Sequence, residues 1–191
     1  DLTAMPVRVR RDEVDRGPLP RISVCLVHFN RARLVQQAVS SLEAQDYGNF
    51  DVLLVDCGST DADASALVSE YEESFPRRGW RVLRMEDRYV GAARNFAASC
   101  ATGEYLLFMD DDNVAMPHEL RTFAEVAGRT DADVLTCMNA VFAGDDAPEG
   151  VPKACWLPLG ADVSSGVYAN VFGDANDLVR RSAFEKIGGF S

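Results

Sequence analysis

The chain has 191 residues, of which 47% are hydrophobic and 26% charged, a composition that fits one globular domain with a buried core. Its net charge of −11 argues against non-specific nucleic-acid binding, which needs a basic surface, but is compatible with a small phosphate ligand. We expect no membrane span in this chain, because no apolar run approaches the ~18 residues that a span needs. The five cysteines are scattered and lack zinc spacing, so we expect reduced core thiols and a cytoplasmic location.

Residues 1–20 mix arginine with acidic residues and end in a Gly-Pro-Leu-Pro segment, which predicts a linker or N-terminal arm. After this arm, short buried strands alternate with apolar residues at helical spacing. This order predicts an α/β fold with a mostly parallel sheet and helices on both faces. Pro117 suits the first position of a helix, and residues 144–165 predict a long loop. The predicted strands are Ile22–Val27, Val52–Val55, Trp80–Met85, Tyr105–Met109 and Val134–Cys137.

Clusters of polar residues follow four of these strands, at the points where the strands end. In a parallel sheet these ends lie along one edge, and α/β sheets bind their ligands there. The clusters therefore predict a binding site formed by several loops. They comprise residues 28–30, 56–61, 86–88 and 110–113.

The acidic run Asp110-Asp111-Asp112 directly follows a predicted buried strand. Three adjacent carboxylates repel one another unless a cation neutralises them, and Mg²⁺ or Mn²⁺ suits this task because it takes oxygen ligands. Alternate residues of an extended segment point the same way, so Asp110 and Asp112 are expected to face one site. The alternative is a solvated acidic turn that caps the following helix.

Three further residues near these strand ends suit a nucleotide ligand. Asp56 can accept hydrogen bonds from a base or from ribose hydroxyls, although the residues after it also fit a helix-capping turn. Arg94 can hold a phosphate through two hydrogen bonds, or it is an ordinary surface residue of a helix. Phe29 either lies against a base or belongs to the core. We expect His28 to satisfy a local backbone group and not to bind a metal.

Taken together, these motifs resemble those of the family 2 glycosyltransferases with the GT-A (Rossmann-like) fold. The resemblance covers residues 21–191. An opening strand leads into an aromatic-Asn turn, a second strand ends in an Asp-x-Gly-Ser-Thr-Asp turn, and the acidic run follows the fourth strand. The matching segments, in the order of the family, are 23–31, 40–47, 50–61, 93–95, 103–113, 172–174 and 180–190.

The resemblance implies a nucleotide-diphosphate sugar as donor, with a UDP-sugar as the leading expectation, and Mn²⁺ or Mg²⁺ as cofactor. Asp112 would hold the metal, Asp56 would contact the base, and Arg94 would lie near the diphosphate. Asp110 and Asp111 would lie by the ribose and the phosphates. The full set of implied donor-binding residues is Phe29, Asn30, Asp56, Arg94, Asp110 and Asp111.

The implied reaction transfers the sugar, with inversion, to an acceptor hydroxyl on a saccharide, a lipid-linked molecule or a protein, and the metal assists as a Lewis acid. The general base of the family usually follows the Gly-Gly-Phe segment. We therefore expect it beyond Ser191, in a domain truncated at its acceptor side, with further domains and any peripheral membrane attachment in other parts of the polypeptide. Cys57, Val27 and Tyr89 depart from the residues frequent at their positions, which leaves the base of the donor and the loop shape open.

The alternative interpretation is a non-catalytic module that binds a nucleotide sugar or serves assembly within a larger protein. An acidic residue soon after Ser191 would favour the enzyme. A dinucleotide oxidoreductase and a nucleotidyltransferase are disfavoured, because the first strand-to-helix turn, residues 28–32, contains no glycine.

Overall fold

The computed structural model describes residues 18–86, 89–146, 148–160, 163–171, 173 and 176–191. Most of the predicted arm, the end of the predicted cluster 86–88 and part of segment 172–174 lie outside these residues. The elements in chain order are β1 (Ile22–His28), α1 (Ala32–Glu43), β2 (Phe50–Asp56), α2 (Ala62–Ser74), a 3-10 turn (Phe75–Arg78), β3 (Arg81–Arg84), α3 (Val90–Cys100), β4 (Tyr105–Asp110), α4 (Glu119–Thr130), β5 (Val134–Leu135), β6 (Asn139–Val141), β7 (Ala154–Trp156), α5 (Val163–Gly166), β8 (Leu178–Arg180) and α6 (Arg181–Ile187).

The main sheet has six strands in the order β3-β2-β1-β4-β8-β5. The first four are mutually parallel, and β8 runs antiparallel to both of its neighbours. Every residue of β1 is buried, as expected for a central parallel strand that is covered on both faces. The prediction of a mostly parallel α/β sheet is therefore confirmed.

Helices cover both faces of this sheet, and each face has its own core. One core contains Leu42 from α1 and Leu120 from α4, packed on alternate residues of β1, β2 and β4. The other contains Ala97 from α3 and Phe184 from α6, packed on the remaining strand residues. The predicted two-sided covering is confirmed.

Several predicted boundaries are wrong in detail. The predicted strand Val134–Cys137 is reduced to β5, because its partner β8 is short and only Leu178 and Val179 pair with it. Pro117 does not begin α4; its carbonyl accepts a hydrogen bond from the Asp46 N–H at 2.9 Å, and the helix starts two residues later.

The predicted loop 144–165 is also not wholly irregular. It contains β7, which pairs with β6 in a separate antiparallel sheet. The prediction of core cysteines holds for Cys25 and Cys57, which are buried, but it is wrong for Cys155, which is exposed. Across the described ranges, none of the helices is both long and apolar enough to cross a bilayer.

Candidate functional site

The carboxyl ends of three adjacent strands meet at one edge of the sheet. Strand β1 lies between β2 and β4, and its last residue, His28, is opposite Asp56 of β2. Val27 of β1 is opposite Asp110 of β4. The register therefore places Asp56 and the acidic run 110–112 on either side of the end of β1, as the strand-end clusters predict.

The three carboxylates of the acidic run lie in different environments. The side chain of Asp111 is fully buried, whereas those of Asp110 and Asp112 are 31% and 48% exposed. The extended segment expected from the sequence ends at Asp110, the last residue of β4, and Asp111 and Asp112 lie in a turn. The Asn113 N–H closes this turn by donating a hydrogen bond to the Asp110 carbonyl at 3.1 Å, and the turn directs Asp111 inward. Asp110 and Asp112 are thus the members of the run that present carboxylate oxygens at the surface.

The buried side chain of Asp111 joins the acidic run to the end of β1. Its Oδ2 lies 2.8 Å from Nδ1 of His28 and accepts a longer hydrogen bond from the Phe29 N–H at 3.4 Å. The guanidinium of Arg31 pairs with its other oxygen. The ring of His28 therefore contacts a buried carboxylate and not a local backbone group, which corrects that expectation from the sequence.

Arg31 is a site residue that sequence reasoning missed. Its guanidinium bridges Asp111 and Asp112, with 2.9 Å between Nη1 and Oδ2 of Asp112. Partial burial by itself would lower the pKa of Arg31, but the two carboxylates outweigh it and raise the pKa above its ordinary value. An Arg after the aromatic-Asn turn was visible in the sequence, but nothing in its spacing indicated a contact some 80 residues away.

Arg94 of α3 reaches the same edge from the neighbouring helix. Its side chain is only 14% exposed, and Nη2 donates a hydrogen bond to Oδ1 of Asp110 at 2.6 Å. The guanidinium also lies 5.3 Å from the ring of Phe190. Asn95 holds Phe190 in place, because its side-chain amide exchanges two hydrogen bonds with the Phe190 backbone. The Gly-Gly-Phe segment is thus tied to the edge of the sheet.

Asp56 and Asn30 join two turns of this edge. Asp56 is buried; one carboxylate oxygen accepts the Ser59 N–H at 3.2 Å, and the other lies 3.4 Å from Arg84. Asn30 has a positive φ of 55°, and its side-chain carbonyl accepts the backbone N–H groups of Thr60 and Asp61. Asp56 and Asn30, which the sequence predicts to bind the nucleotide-sugar donor, therefore both shape the loop after β2.

Phe29 lies next to these turns and is half-buried. Its ring packs against the second core, beside the residues of α3 and α6. The core alternative that the sequence left open is thus part of its role. Half-burial still leaves part of the residue accessible at the edge of the sheet.

The described residues contain no group of three His, Cys, Asp or Glu side chains arranged to hold a metal ion on their own. A protein-only metal cage is therefore absent from this part of the chain. Mg²⁺ is often held by one or two carboxylates together with substrate phosphates. The exposed oxygens of Asp110 and Asp112 fit that mode of binding, since they are hard ligands at the surface of a strand end.

The sheet order and the charged groups at this edge define a class of protein: an α/β domain with a candidate ligand site at the carboxyl ends of its parallel strands. Residues 23–188 match the family model described as glycosyl transferase family 2. Since this match covers most of the chain, the chain belongs to glycosyl transferase family 2.

Curated relatives agree with this assignment. The chain is 32% identical over 172 residues to an uncharacterized glycosyltransferase of Nostoc sp., a match that covers 87% of this chain and 53% of that protein. It is 26% identical over 117 residues to the GalNAc(5)-diNAcBac-PP-undecaprenol beta-1,3-glucosyltransferase of Campylobacter jejuni, covering 61% of this chain and 38% of that protein. The chain thus spans about half or less of the length of these relatives.

Solved structures share the fold. S. aureus TarS in complex with UDP-GlcNAc is similar with a TM-score of 0.66 at 23% identity, over 87% of this chain and 47% of that one. The mannosyltransferase PcManGT from Pyrobaculum calidifontis, in complex with GDP-Man and Mn²⁺, is similar with a TM-score of 0.65 at 21% identity, over 93% and 49%. At these identities the likeness establishes the common fold.

Proposed function

We propose that this chain is the donor-binding part of an inverting glycosyltransferase that moves a sugar from a nucleotide diphosphate to an acceptor hydroxyl. One observation carries the proposal: the sheet register brings Asp56 and Asp110 to one edge, Asp112 follows Asp110 in the next turn, and Arg94 pairs with Asp110. Acidic groups thus lie next to a cation, an arrangement that supports a site for a nucleotide diphosphate and a metal.

The guanidinium of Arg94 is well placed for the diphosphate. It is largely buried, and its Nε has no hydrogen-bond partner within the described part of the chain. A buried unpartnered donor costs free energy, which an anionic ligand would recover. The position of Arg94 is already fixed by Asp110 and by the ring of Phe190. Ligand binding would therefore cost little further side-chain entropy.

The base and ribose would lie over the turns joined by Asn30. Asp56 would accept from the base, and Phe29 would offer an apolar surface beside it. Asp110 would lie toward the ribose and phosphates, and the buried Asp111 would act through His28 and the Arg31 guanidinium, not by direct contact.

Asp112 would hold the Mn²⁺ or Mg²⁺ ion, with phosphate oxygens as further ligands. When bound, the metal would supply Lewis-acid stabilisation of the leaving diphosphate. Arg94 would stabilise the same developing charge from the other side of the acidic run, in a position set before the donor arrives.

The relatives support a nucleotide sugar as donor and leave its identity open. TarS has been solved with UDP-GlcNAc and PcManGT with GDP-Man and Mn²⁺. We place UDP-sugars first and treat the acceptor, whether saccharide, lipid-linked or protein, as the property of the whole polypeptide.

A thermal-shift screen of nucleotide sugars tests this proposal. We expect at least one UDP- or GDP-sugar to raise the melting temperature when Mn²⁺ is present, and to lose this effect in EDTA, because ligands that bind only the folded state stabilise it. If no nucleotide sugar shifts the melting temperature with Mn²⁺, the proposal is wrong. Binding by the full-length protein without transfer to any acceptor would instead favour the non-catalytic module.

A further inference from the structure

The acidic run carries its own counter-ions. Arg94 pairs with Asp110, and Arg31 pairs with both Asp111 and Asp112. The repulsion among three adjacent carboxylates, which in the sequence pointed to a metal, is therefore relieved by two arginines of the chain itself. A metal that binds Asp112 would meet a carboxylate that already has a cation at one of its oxygens.

Arg31 is anchored at one end and open at the other. Its partner Asp111 is fully buried and is fixed by the ring of His28. Its second partner, Asp112, is half exposed, and the side chain of Arg31 is itself 47% exposed. The contact of Arg31 with Asp111 is thus fixed inside the protein, whereas its contact with Asp112 can be exchanged for another partner.

We propose that Arg31 is a positioning residue that occupies Asp112 until a metal-bound donor arrives, so that metal and nucleotide bind in a coupled manner. This inference rests on the proposed function. Nη1 of Arg31 and a divalent cation compete for the same carboxylate, because two cations on one group repel each other. A metal ion alone must displace Nη1 without compensation.

A nucleotide diphosphate changes this balance. Its phosphate oxygens give the metal further ligands and give the released Nη1 a new acceptor. Arg31 would keep its contact with Asp111 and so remain beside the site. The chain's own residues would then disfavour metal without donor, and each ligand would raise the affinity for the other by the same factor.

Mn²⁺ titration followed by electron paramagnetic resonance, without nucleotide, tests the competition. We expect Arg31→Met to bind Mn²⁺ about tenfold more tightly than the wild type, because Asp112 loses its internal cation. The tightening should disappear in the double variant Arg31→Met/Asp112→Asn. The matched control is Arg33→Met: Arg33 lies in the first turn of α1, pairs with Asp146 and is 66% exposed. Its loss should leave the Mn²⁺ affinity unchanged.

A second titration measures the coupling. We expect Mn²⁺ to raise the affinity for UDP strongly in the wild type and only weakly in Arg31→Met. Arg31→Lys guards against misfolding, since it keeps a positive charge near Asp111 but cannot bridge two carboxylates as a guanidinium does. It should bind Mn²⁺ with an affinity between those of the wild type and Arg31→Met.

The results separate the two proposals. If the wild type binds UDP with Mn²⁺ but neither Arg31 variant binds Mn²⁺ more tightly, the role of Arg31 is wrong and the proposed function stands. If the wild type binds no nucleoside diphosphate with Mn²⁺, the proposed function fails and the role of Arg31 fails with it.

Discussion

Both edges of the parallel sheet bury a carboxylate, and the two are satisfied in different ways. At the amino ends of the strands, Asp51 is 4% exposed, accepts the Ser23 hydroxyl at 2.6 Å and lies 3.4 Å from Arg21. The Ser23 hydroxyl in turn accepts the Gly103 N–H at 2.9 Å. This edge is closed by backbone packed directly on β1.

At the carboxyl ends of the strands, Asp111 is equally buried, but the hydrogen bonding around the acidic run is incomplete. His28 and Arg94 each keep a ring or guanidinium nitrogen, Nε2 and Nε respectively, without a partner in the described part of the chain. Asp110 and Asp112 remain open to solvent. A buried carboxylate alone therefore marks no ligand site; unpartnered buried nitrogens beside exposed acids distinguish the carboxyl edge from the amino edge.

Gly103→Ala should produce the largest loss of stability, and it tests the amino edge. A Cβ at this position would lie 2.5 Å from the Ser23 nitrogen and 2.8 Å from the Tyr105 oxygen, both backbone atoms that cannot move aside easily. We expect unfolding in urea to show a loss of about 3 kcal/mol. Gly48→Ala is the control, because its Cβ would meet no described atom within 4 Å, and it should change stability by less than about 0.5 kcal/mol.

The comparison also predicts that the Gly103 variant, where folded, binds UDP and Mn²⁺ like the wild type. A loss of UDP affinity larger than the unfolded fraction of the variant explains would contradict the claim that the amino edge does not take part in ligand binding.

Arg94→Met should do the reverse of Gly103→Ala: it should weaken nucleotide binding more than it lowers stability. We expect UDP binding with Mn²⁺ to weaken by about tenfold or more, because a phosphate partner is lost and Asp110 is left to repel the diphosphate. Stability should fall less than in Gly103→Ala, since Asp110 is partly solvated. Isothermal calorimetry checks the affinity, with Arg129→Met, an exposed arginine of α4, as control. Unchanged UDP affinity in Arg94→Met would remove Arg94 from the site.

The smallest expected effect concerns the pair Glu72–Arg84 beside Asp56. The hydrogen bond from Arg84 lowers the pKa of Glu72 against a small opposing effect of burial. Because the pKa of Glu72 is lowered, the pair stabilises the fold at pH values above the ordinary pKa of glutamate. This contribution is lost as the pH falls through the lowered pKa. Because both side chains are exposed, the contribution is about 0.5 kcal/mol or less.

Unfolding of Glu72→Gln and wild type at several pH values checks this sign. The difference in unfolding free energy should be present at pH 7 and should shrink as the pH falls below the ordinary pKa of glutamate. Glu70→Gln on the same helix is the control, because it removes a carboxylate and leaves the Glu72–Arg84 pair in place. A difference that grows on acidification would contradict the assigned direction.

The parallel part of the sheet could be predicted from the sequence because its strands are buried on both faces. Ile22–His28, Phe50–Asp56 and Tyr105–Asp110 contain near-continuous apolar runs, and each ends at a polar residue. The short strand Leu178–Arg180 was not predicted. It has three residues, and its identity as a strand depends on neighbours distant in sequence.

The position of the candidate site was predictable for the same reason, since parallel strands align their carboxyl ends. Its internal ion pairs were not. The contacts of His28 and Arg31 with the acidic run join residues more than 79 positions apart, and no local pattern encodes them. Arg31 and Arg94 therefore neutralise the acidic run from within the chain, a role that the run by itself suggests for a metal alone.

The most direct test of the central claim is a calorimetric titration of UDP, with and without Mn²⁺, on the wild type, Asp112→Asn and the control Glu70→Gln. Asp112 is half exposed, so its loss should leave the fold intact. We expect Mn²⁺ to tighten UDP binding in the wild type and in Glu70→Gln, and to have no effect in Asp112→Asn. Equal tightening by Mn²⁺ in Asp112→Asn would contradict the placement of the metal and diphosphate at this edge of the sheet.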